Sequence, residues 1–165
     1  MFGSQATFVL YDDEVVKVKE ILDNLLKASN AKSIYLVDKN GQMIATSGDV
    51  SGMDTTSLAS LTAGNIAATG GLAKLVGEKE FAIQFHEGEK DNIHISIVGG
   101  RVILVIIFDE RSSLGLVRLR VKKASMALEA LFDEISSKSS DQASGRERSN
   151  PFAEITDDDI DNLFS

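Results

Sequence analysis

"VILVIIF", residues Val102 to Phe108, is apolar at every position. Half-buried strands alternate apolar and polar side chains, so a strand that is apolar throughout is buried on both faces. We therefore predict that this stretch is the central strand of a β-sheet. It is far too short to cross a bilayer, which needs roughly 20 apolar residues in a helix.

The residues on both sides of this strand extend the sheet and then cover it. Upstream, "FAIQFH" (81–86) and "NIHISIV" (92–98) alternate strictly, which predicts a hairpin with one buried face. Downstream, a long helix is predicted to begin after Ser112 or Ser113. Its inner face carries apolar residues at helical spacing: Leu114, Val117, Val121, Ala124, Leu128 and Leu131.

The first half of the chain also places a helix next to a hairpin. A helix is predicted from about Asp13 to Ser29, because its apolar residues fall on one face. "SIYLVD" (33–38) and "QMIATS" (42–47) flank an Asn-Gly pair, which is a strong signal for a hairpin turn. Asp54 is then placed to cap a second helix, "TTSLASLTAGNIAATGGLAKL" (55–75).

The element order α-β-β-α-β-β-β-α predicts an α+β fold, in which a five-stranded antiparallel sheet is flanked by three helices. Residues 1–12 are assigned to an N-terminal extension and residues 13–135 to the domain. Residues 136–150 are predicted to be a flexible linker, because Ser, Gly and charged residues dominate them. Residues 151–165 form an acidic amphipathic tail that contains five acids and no base.

Composition narrows the classes of function. The net charge of −8 is unfavourable for binding nucleic acid, which requires a basic face. The absence of cysteine excludes disulfides and thiolate metal sites. Acids at Asp12, Asp13 and Glu14 come too early for a signal peptide. These features predict a soluble cytoplasmic protein that does not insert into membranes.

No group of residues forms the pattern of a known enzyme site. His86 and His94 are interpreted as ordinary strand histidines, because no further metal ligands converge on them. Gly64, Gly70 and Gly71 lie inside a helix, and no G-x-x-x-x-G-K-[ST] motif is present, so nucleotide binding is not predicted. The serines lack a G-x-S-x-G elbow, and no spacing selects an arginine finger. We expect no catalytic site, no cofactor and no metal.

The helix over residues 55–75 has only one charge, Lys74. At 100° per residue, its predicted core arc consists of Leu58, Leu61, Asn65, Leu72 and Val76. The opposite arc is predicted to bind another protein molecule: Thr56, Ser60, Ala63, Gly64, Ala67, Gly70, Gly71 and Lys74.

The glycines on that arc indicate close approach by another molecule. Each glycine in a helix costs about 1 kcal/mol relative to alanine, so three of them need a compensating contact. Small side chains allow another helix or backbone to come near. A homodimer is the default, because cyclic dimers are the commonest soluble oligomers. The free edge of the strand at "FAIQF" is predicted to pair with its twin.

Five longer stretches carry a resemblance to a known family. They are "VDKNGQMIATSG", "DTTSLASLTAGNIAATGGLAKLVGE", "FHEGEKD", "VILVIIFDERSSLGLVRLRVKKAS" and "NPFAEITDDDIDNLF". They resemble the Roadblock/dynein light chain family, especially its bacterial regulators of Ras-like GTPases. The resemblance extends from Val9 to Phe164. It implies a homodimer that pairs its third strands and places its second helices side by side.

The same resemblance implies a function. The chain would be a GTPase-activating protein for an MglA-like polarity GTPase, with two copies of the chain per GTPase. By this resemblance, the GTPase or the second copy would bind the outer arc of the helix over residues 55–75. The activator would supply no arginine finger and would position the catalytic groups of the GTPase itself. The resemblance further implies a role in cell polarity and gliding motility, with enrichment at a cell pole.

The tail is predicted to provide a second contact. Thr156 can cap a short helix, and Ile160, Leu163 and Phe164 then share one face. Such a helix is unstable alone and would order on docking into an apolar groove. The predicted docking residues are Phe152, Ile155, Ile160, Leu163 and Phe164.

Two other functions fit the predicted fold. A Roadblock-type scaffold would tether proteins without changing GTP hydrolysis. A small-ligand sensor would need a cavity with convergent polar groups. The predicted core is aliphatic, which disfavours the sensor.

Overall fold

The computed structural model describes residues 10–149, and the side chains of residues 10–138. The predicted element order is confirmed. The elements are α1 (Asp12–Ser29), β1 (Ser33–Asp38), β2 (Met43–Gly48), α2 (Thr55–Leu75), β3 (Ile83–His86), β4 (Asn92–Val98), β5 (Val102–Phe108) and α3 (Leu114–Ser149). The chain divides after Glu129 into two compact units, so α3 belongs to the first unit up to Glu129 and to the second from Ala130.

The five strands form one antiparallel sheet in the order β2-β1-β5-β4-β3. The strand β5 lies at its centre, and all of its residues are buried, as the unbroken apolar run predicts. Because β5 separates the two hairpins, the sheet ends in β2 on one side and β3 on the other.

The two faces of the sheet are covered by different helices. On one face, Tyr35, Val37 and Val105 form a core with Ala59 of α2. Strand residues alternate between faces, so Ile34 and Leu36 point to the other face, where both are fully buried. The apolar sides of α1 and α3 cover that second face, with buried residues that include Leu22, Val117, Val121 and Leu128.

The turn between β1 and β2 ties this hairpin to α2. The Asp38 carboxylate accepts hydrogen bonds from the backbone N–H groups of Asn40 (2.9 Å) and Gln42 (3.0 Å). Gly41 has a φ of +89°, which L side chains rarely adopt. A Cβ atom on Gly41 would lie 3.4 Å from the Cα of Ser60 and 3.5 Å from the Cβ of Ala63. The tip of the hairpin therefore rests against α2.

The helix α3 is longer than the sequence predicts. It continues to Ser149 and so includes most of residues 136–150, which were expected to form a flexible linker. A helix is possible here because extending an existing helix adds one hydrogen bond per residue without a new nucleation cost. One glycine, Gly145, interrupts this polar stretch, and the first proline after it is Pro151. Within residues 10–149, no helix is both long and apolar enough to cross a membrane.

Candidate functional site

Helix α2 begins where its sequence predicts. The Asp54 carboxylate accepts hydrogen bonds from the backbone N–H of Ser57 (3.1 Å) and from its hydroxyl (2.6 Å). These bonds, the hydroxyl bond first, hold the pKa of Asp54 below its usual value. The cap satisfies a backbone donor that the first turn of the helix leaves free.

The predicted core arc of α2 is wrong. The residues that face the sheet are Ala59, Thr62 and Ala73, which are 1%, 7% and 0% exposed. Of the predicted arc, Leu58 and Asn65 are half-buried, whereas Leu61, Leu72 and Val76 are exposed. The true arc lies roughly a quarter of the wheel away, at 100° per residue. Small residues on the inner side let the helix backbone approach the sheet closely.

The correction leaves large apolar side chains on the outside of α2. We call these residues the leucine flank: Leu61, Leu72, Leu75 and Val76, which are 73%, 57%, 83% and 68% exposed. Isolated exposed leucines are common on protein surfaces, but three on one helix, followed by Val76 at its C-cap, make this flank a candidate interaction surface.

The predicted partner-binding residues fall into two groups. Those that are exposed are Thr56, Ser60, Gly64, Ala67, Gly71 and Lys74, and those that are half-buried are Ala63 and Gly70. Ala63 is small for a reason within the chain, because the hairpin tip at Gly41 rests on it. Gly70 lines a cleft of about 320 Å³ beside Phe81 and Ile97.

The three glycines of α2 have no comparable contact within the chain. A Cβ atom added to Gly64, Gly70 or Gly71 would meet nothing within 4 Å. Contacts among the described residues therefore do not require glycine at these positions, and each one costs the helix stability. We use the term small-residue crest for Ser60, Gly64, Ala67 and Gly71, which lie on the side of α2 away from the sheet.

A polar network fixes the side of α2 that faces β3. The amide nitrogen of Asn65 donates to the side-chain oxygen of Gln84, and the amide nitrogen of Gln84 donates to the hydroxyl of Thr69, both over 2.8 Å. On the helical wheel, Leu61 and Leu72 lie next to Asn65. Leu61 and Leu72 of the leucine flank therefore face the β3 side of the molecule, whereas the hairpin tip at Gly41 lies on the opposite side of the helix.

The outer edge of β3 is open. Among the described strands, β3 pairs with β4 alone, and its Ile83 and Phe85 are 54% and 38% exposed. The edge at β2 is different, because the ammonium of Lys19 donates to the carbonyl of Thr46 over 2.6 Å. This lysine reaches over from α1 and occupies a backbone acceptor of β2, and an edge strand that another element covers is hindered from pairing with another chain. The sheet therefore offers β3, beside the leucine flank, for strand pairing.

Arg111 and the two histidines have the following surroundings in the structure. The Arg111 guanidinium pairs with the Asp109 carboxylate at 3.0 Å. His86 is exposed, and His94 is buried with neither ring nitrogen hydrogen-bonded. Burial, followed by the charge of Arg118, lowers the pKa of His94. Residues 10–149 contain no group of three or more His, Cys, Asp or Glu residues that could hold a metal ion.

The predicted docking residues of the tail lie outside the described residues: Phe152, Ile155, Ile160, Leu163 and Phe164. Their role stays a prediction.

The fold and the surface can now be compared with known proteins. The Roadblock/LC7 domain family matches residues 17–108, more than half of the chain. A solved structure of Myxococcus xanthus MglB is 59% identical, with a TM-score of 0.73; the match covers 77% of this chain and 96% of that protein. The chain belongs to the Roadblock/LC7 family, in its MglB group. The family resemblance seen in the sequence is thereby confirmed.

Two further MglB structures are similar to this Roadblock/LC7 chain. The gliding protein MglB of Thermus thermophilus is 34% identical with a TM-score of 0.74, and the match covers 79% of this chain and 99% of that one. An MglB with a tetrameric arrangement is 32% identical with a TM-score of 0.75, over 80% and 99% of the two chains. No curated protein matches the sequence.

Proposed function

We propose that this chain is a homodimeric activator of GTP hydrolysis by an MglA-like, Ras-like GTPase. The observation that carries the proposal is the outer face of α2. It presents the exposed side chains of Leu61, Leu72 and Leu75, the exposed glycines Gly64 and Gly71 and a single charge, in a chain that is 25% charged. Membership of the MglB group supports the choice of a polarity GTPase as partner.

The dimer would form through the leucine flank and the open edge of β3. These two features lie on the same side of the molecule, because Gln84 of β3 bonds to α2. A two-fold axis at this edge would pair β3 with its twin and extend the sheet to ten strands, twice the five of one chain. It would also bury Leu61 and Leu72 of both copies. The MglB structure with a tetrameric arrangement shows that a relative self-associates.

The GTPase would then bind the small-residue crests of the two α2 helices, so that one GTPase contacts two copies of the chain. Gly64 and Gly71 have open space above them, which lets a partner backbone approach closely. Arg111 pairs with Asp109 at 3.0 Å, which supports an activator that supplies no arginine finger. The activator would act by positioning the catalytic groups of the GTPase, which lowers the entropic and electrostatic cost of phosphoryl transfer.

The tail at residues 151–165 would add a second contact to the GTPase through its apolar face. The protein would act in the cytoplasm, with enrichment at a cell pole, in cell polarity and gliding motility. The name of the Thermus relative as a gliding protein supports that setting.

Single-turnover hydrolysis of GTP by an MglA-like GTPase, with and without this chain, tests the proposal. We expect a faster single turnover with the chain present. Ala67→Arg should abolish the acceleration, because a long cation cannot fit a close-packed crest. Ala130→Arg makes the same change at an exposed position of α3 and should keep full activity. If the wild-type chain binds the GTPase without accelerating hydrolysis, the scaffold function replaces the activator.

A further inference from the structure

A cleft opens beside the small-residue crest, between the second half of α2 and the segment that leads into β3. Its volume is about 320 Å³. Ala67 and Gly71 belong to the crest and also line the cleft, so the two surfaces are continuous. A protein that binds the crest can therefore reach into the cleft.

The cleft has an apolar lining and room for a side chain. Ile66, Phe81 and Ile97 line it, and each of them is half-buried. A Cβ atom added to Gly70 would meet nothing within 4 Å, so the space above the helix backbone is open at this position. An apolar side chain placed there would remove the exposed parts of these three residues from water, which is favourable.

Two ammonium groups give the cleft a positive charge. Lys74 and Lys79 line it and are exposed, and neither forms an ion pair among the side chains that the structure describes. The other polar lining groups are engaged within the chain, because the Glu80 carboxylate lies 3.9 Å from the Lys39 ammonium and the Thr69 hydroxyl is hydrogen-bonded at 2.8 Å. The cleft therefore favours a partner that brings a carboxylate next to an apolar side chain.

We infer that this cleft receives an acidic segment of the GTPase, in which an apolar side chain enters over Gly70 and a neighbouring carboxylate meets Lys74 and Lys79. Because this contact presupposes a GTPase on the crest, it rests on the proposed function. It adds a determinant of specificity, since a GTPase with a basic residue at this place would be repelled. Lys79 lies between α2 and β3, outside the helix to which the sequence assigned partner binding.

Titration calorimetry of the full-length chain with the GTPase, loaded with a non-hydrolysable GTP analogue, tests the inference. Lys79→Glu reverses a charge at an exposed position outside the helices and strands, so the fold should be spared. We expect its Kd for the GTPase to rise about tenfold at low salt and less at high salt, because salt screens surface ion pairs. Lys122→Glu is the matched control. It makes the same change at an exposed position of α3, on the other face of the sheet, and should leave the Kd unchanged.

A second variant, Gly70→Leu, tests the apolar part of the cleft without changing a charge. Leucine favours a helix over glycine, and the space above Gly70 is open, so the free energy of unfolding should not fall. The new side chain would occupy the cleft and exclude the apolar side chain of the GTPase. We expect the Kd for the GTPase to rise about tenfold in a chain that is at least as stable as the wild type.

Four results would overturn the inference. The first is a wild-type Kd for Lys79→Glu or for Gly70→Leu, and the second is an equal loss of affinity in Lys122→Glu. The third is an effect of Lys79→Glu on the dimer Kd alone, which would make the twin the occupant. The fourth is an effect that disappears when residues 157–159 are changed from Asp to Asn, which would make the tail the occupant. In all four the wild-type chain still binds the GTPase and the proposed function stands, whereas a wild-type chain that did not bind the GTPase would overturn both.

Discussion

Replacing Leu61 by serine tests the proposed dimer surface. Leu61 is 73% exposed in the single chain, so the substitution removes no core contact. It lies on the flank of α2 that faces the open edge of β3, where the twin would cover it. Leu61→Ser should therefore weaken the dimer and leave the folded chain as stable as before.

The magnitude follows from the exposed fraction of Leu61. Burying a whole leucine side chain contributes about 2 kcal/mol. The 73% that is still exposed could contribute about 1.5 kcal/mol in each copy. A symmetric dimer contains the residue twice, so the loss is about 3 kcal/mol, which raises the dimer Kd roughly 150-fold.

Sedimentation equilibrium over a range of concentrations measures this Kd. Leu119→Ser is the matched control, because Leu119 is 62% exposed on α3, away from the proposed interface. Its Kd should equal that of the wild-type chain. An unchanged Kd for Leu61→Ser, or the same weakening by Leu119→Ser, would refute the assignment of the leucine flank to the dimer. At a concentration low enough that all three proteins are monomeric, thermal melts of both variants should match the wild type, because dimerisation itself raises the Tm.

Further predictions concern the crest, the hairpin, a buried histidine and the tail. Ala67→Arg should leave the dimer Kd unchanged while preventing GTPase binding, as measured by titration calorimetry. Loss of the dimer instead would show that the small-residue crest belongs to the dimer interface. Gly41→Ala should lower the free energy of unfolding by about 1–2 kcal/mol in urea titrations, because its φ of +89° disfavours an L side chain. Burial lowers the pKa of His94, so the unfolded chain binds a proton near pH 6.5 that the folded chain does not. Stability should hold above pH 6.5 and fall below it, with a smaller fall in His94→Leu; equal pH slopes would contradict this. Deleting residues 150–165 should leave dimerisation intact and weaken GTPase binding, whereas unchanged affinity would show that the tail is inert.

The strands and the helix starts could be predicted because local chemistry determines them. The apolar run at Val102–Phe108 fits the centre of a sheet and little else, and all of it is buried. The Asn-Gly pair needs the positive φ that Gly41 adopts. Asp54 accepts the bond expected of an N-cap. Each of these signals acts over a few residues, so no knowledge of the tertiary structure is needed to interpret it.

The orientation of α2 could not be predicted, because most of its circumference is apolar or small. Periodicity identifies a core face only when a polar face stands opposite, and Lys74 is the one charge of this helix. The wheel therefore assigned the largest side chains, such as Leu61 and Leu72, to the core. The structure instead buries Ala59 and Ala73, because the helix lies close to the sheet. Which arc faces inward depends on helix-to-sheet distance, a tertiary property absent from the local sequence.

The wrong assignment of Leu61 and Leu72 to the core also indicates where the second contact surface of α2 lies. A helix that packs against both its own sheet and a partner has two apolar arcs. In α2 the larger residues lie on the arc that the single chain leaves exposed. In α2, Ala59 and Ala73 pack against the sheet, and Ala63 contacts the hairpin tip. The leucines remain exposed beside the open edge of β3. Each copy alone would hold this apolar row in water, which is unfavourable. The need to bury these exposed leucines is thus the strongest reason to expect a second copy at β3. The glycines of the small-residue crest would then be free to contact a different partner.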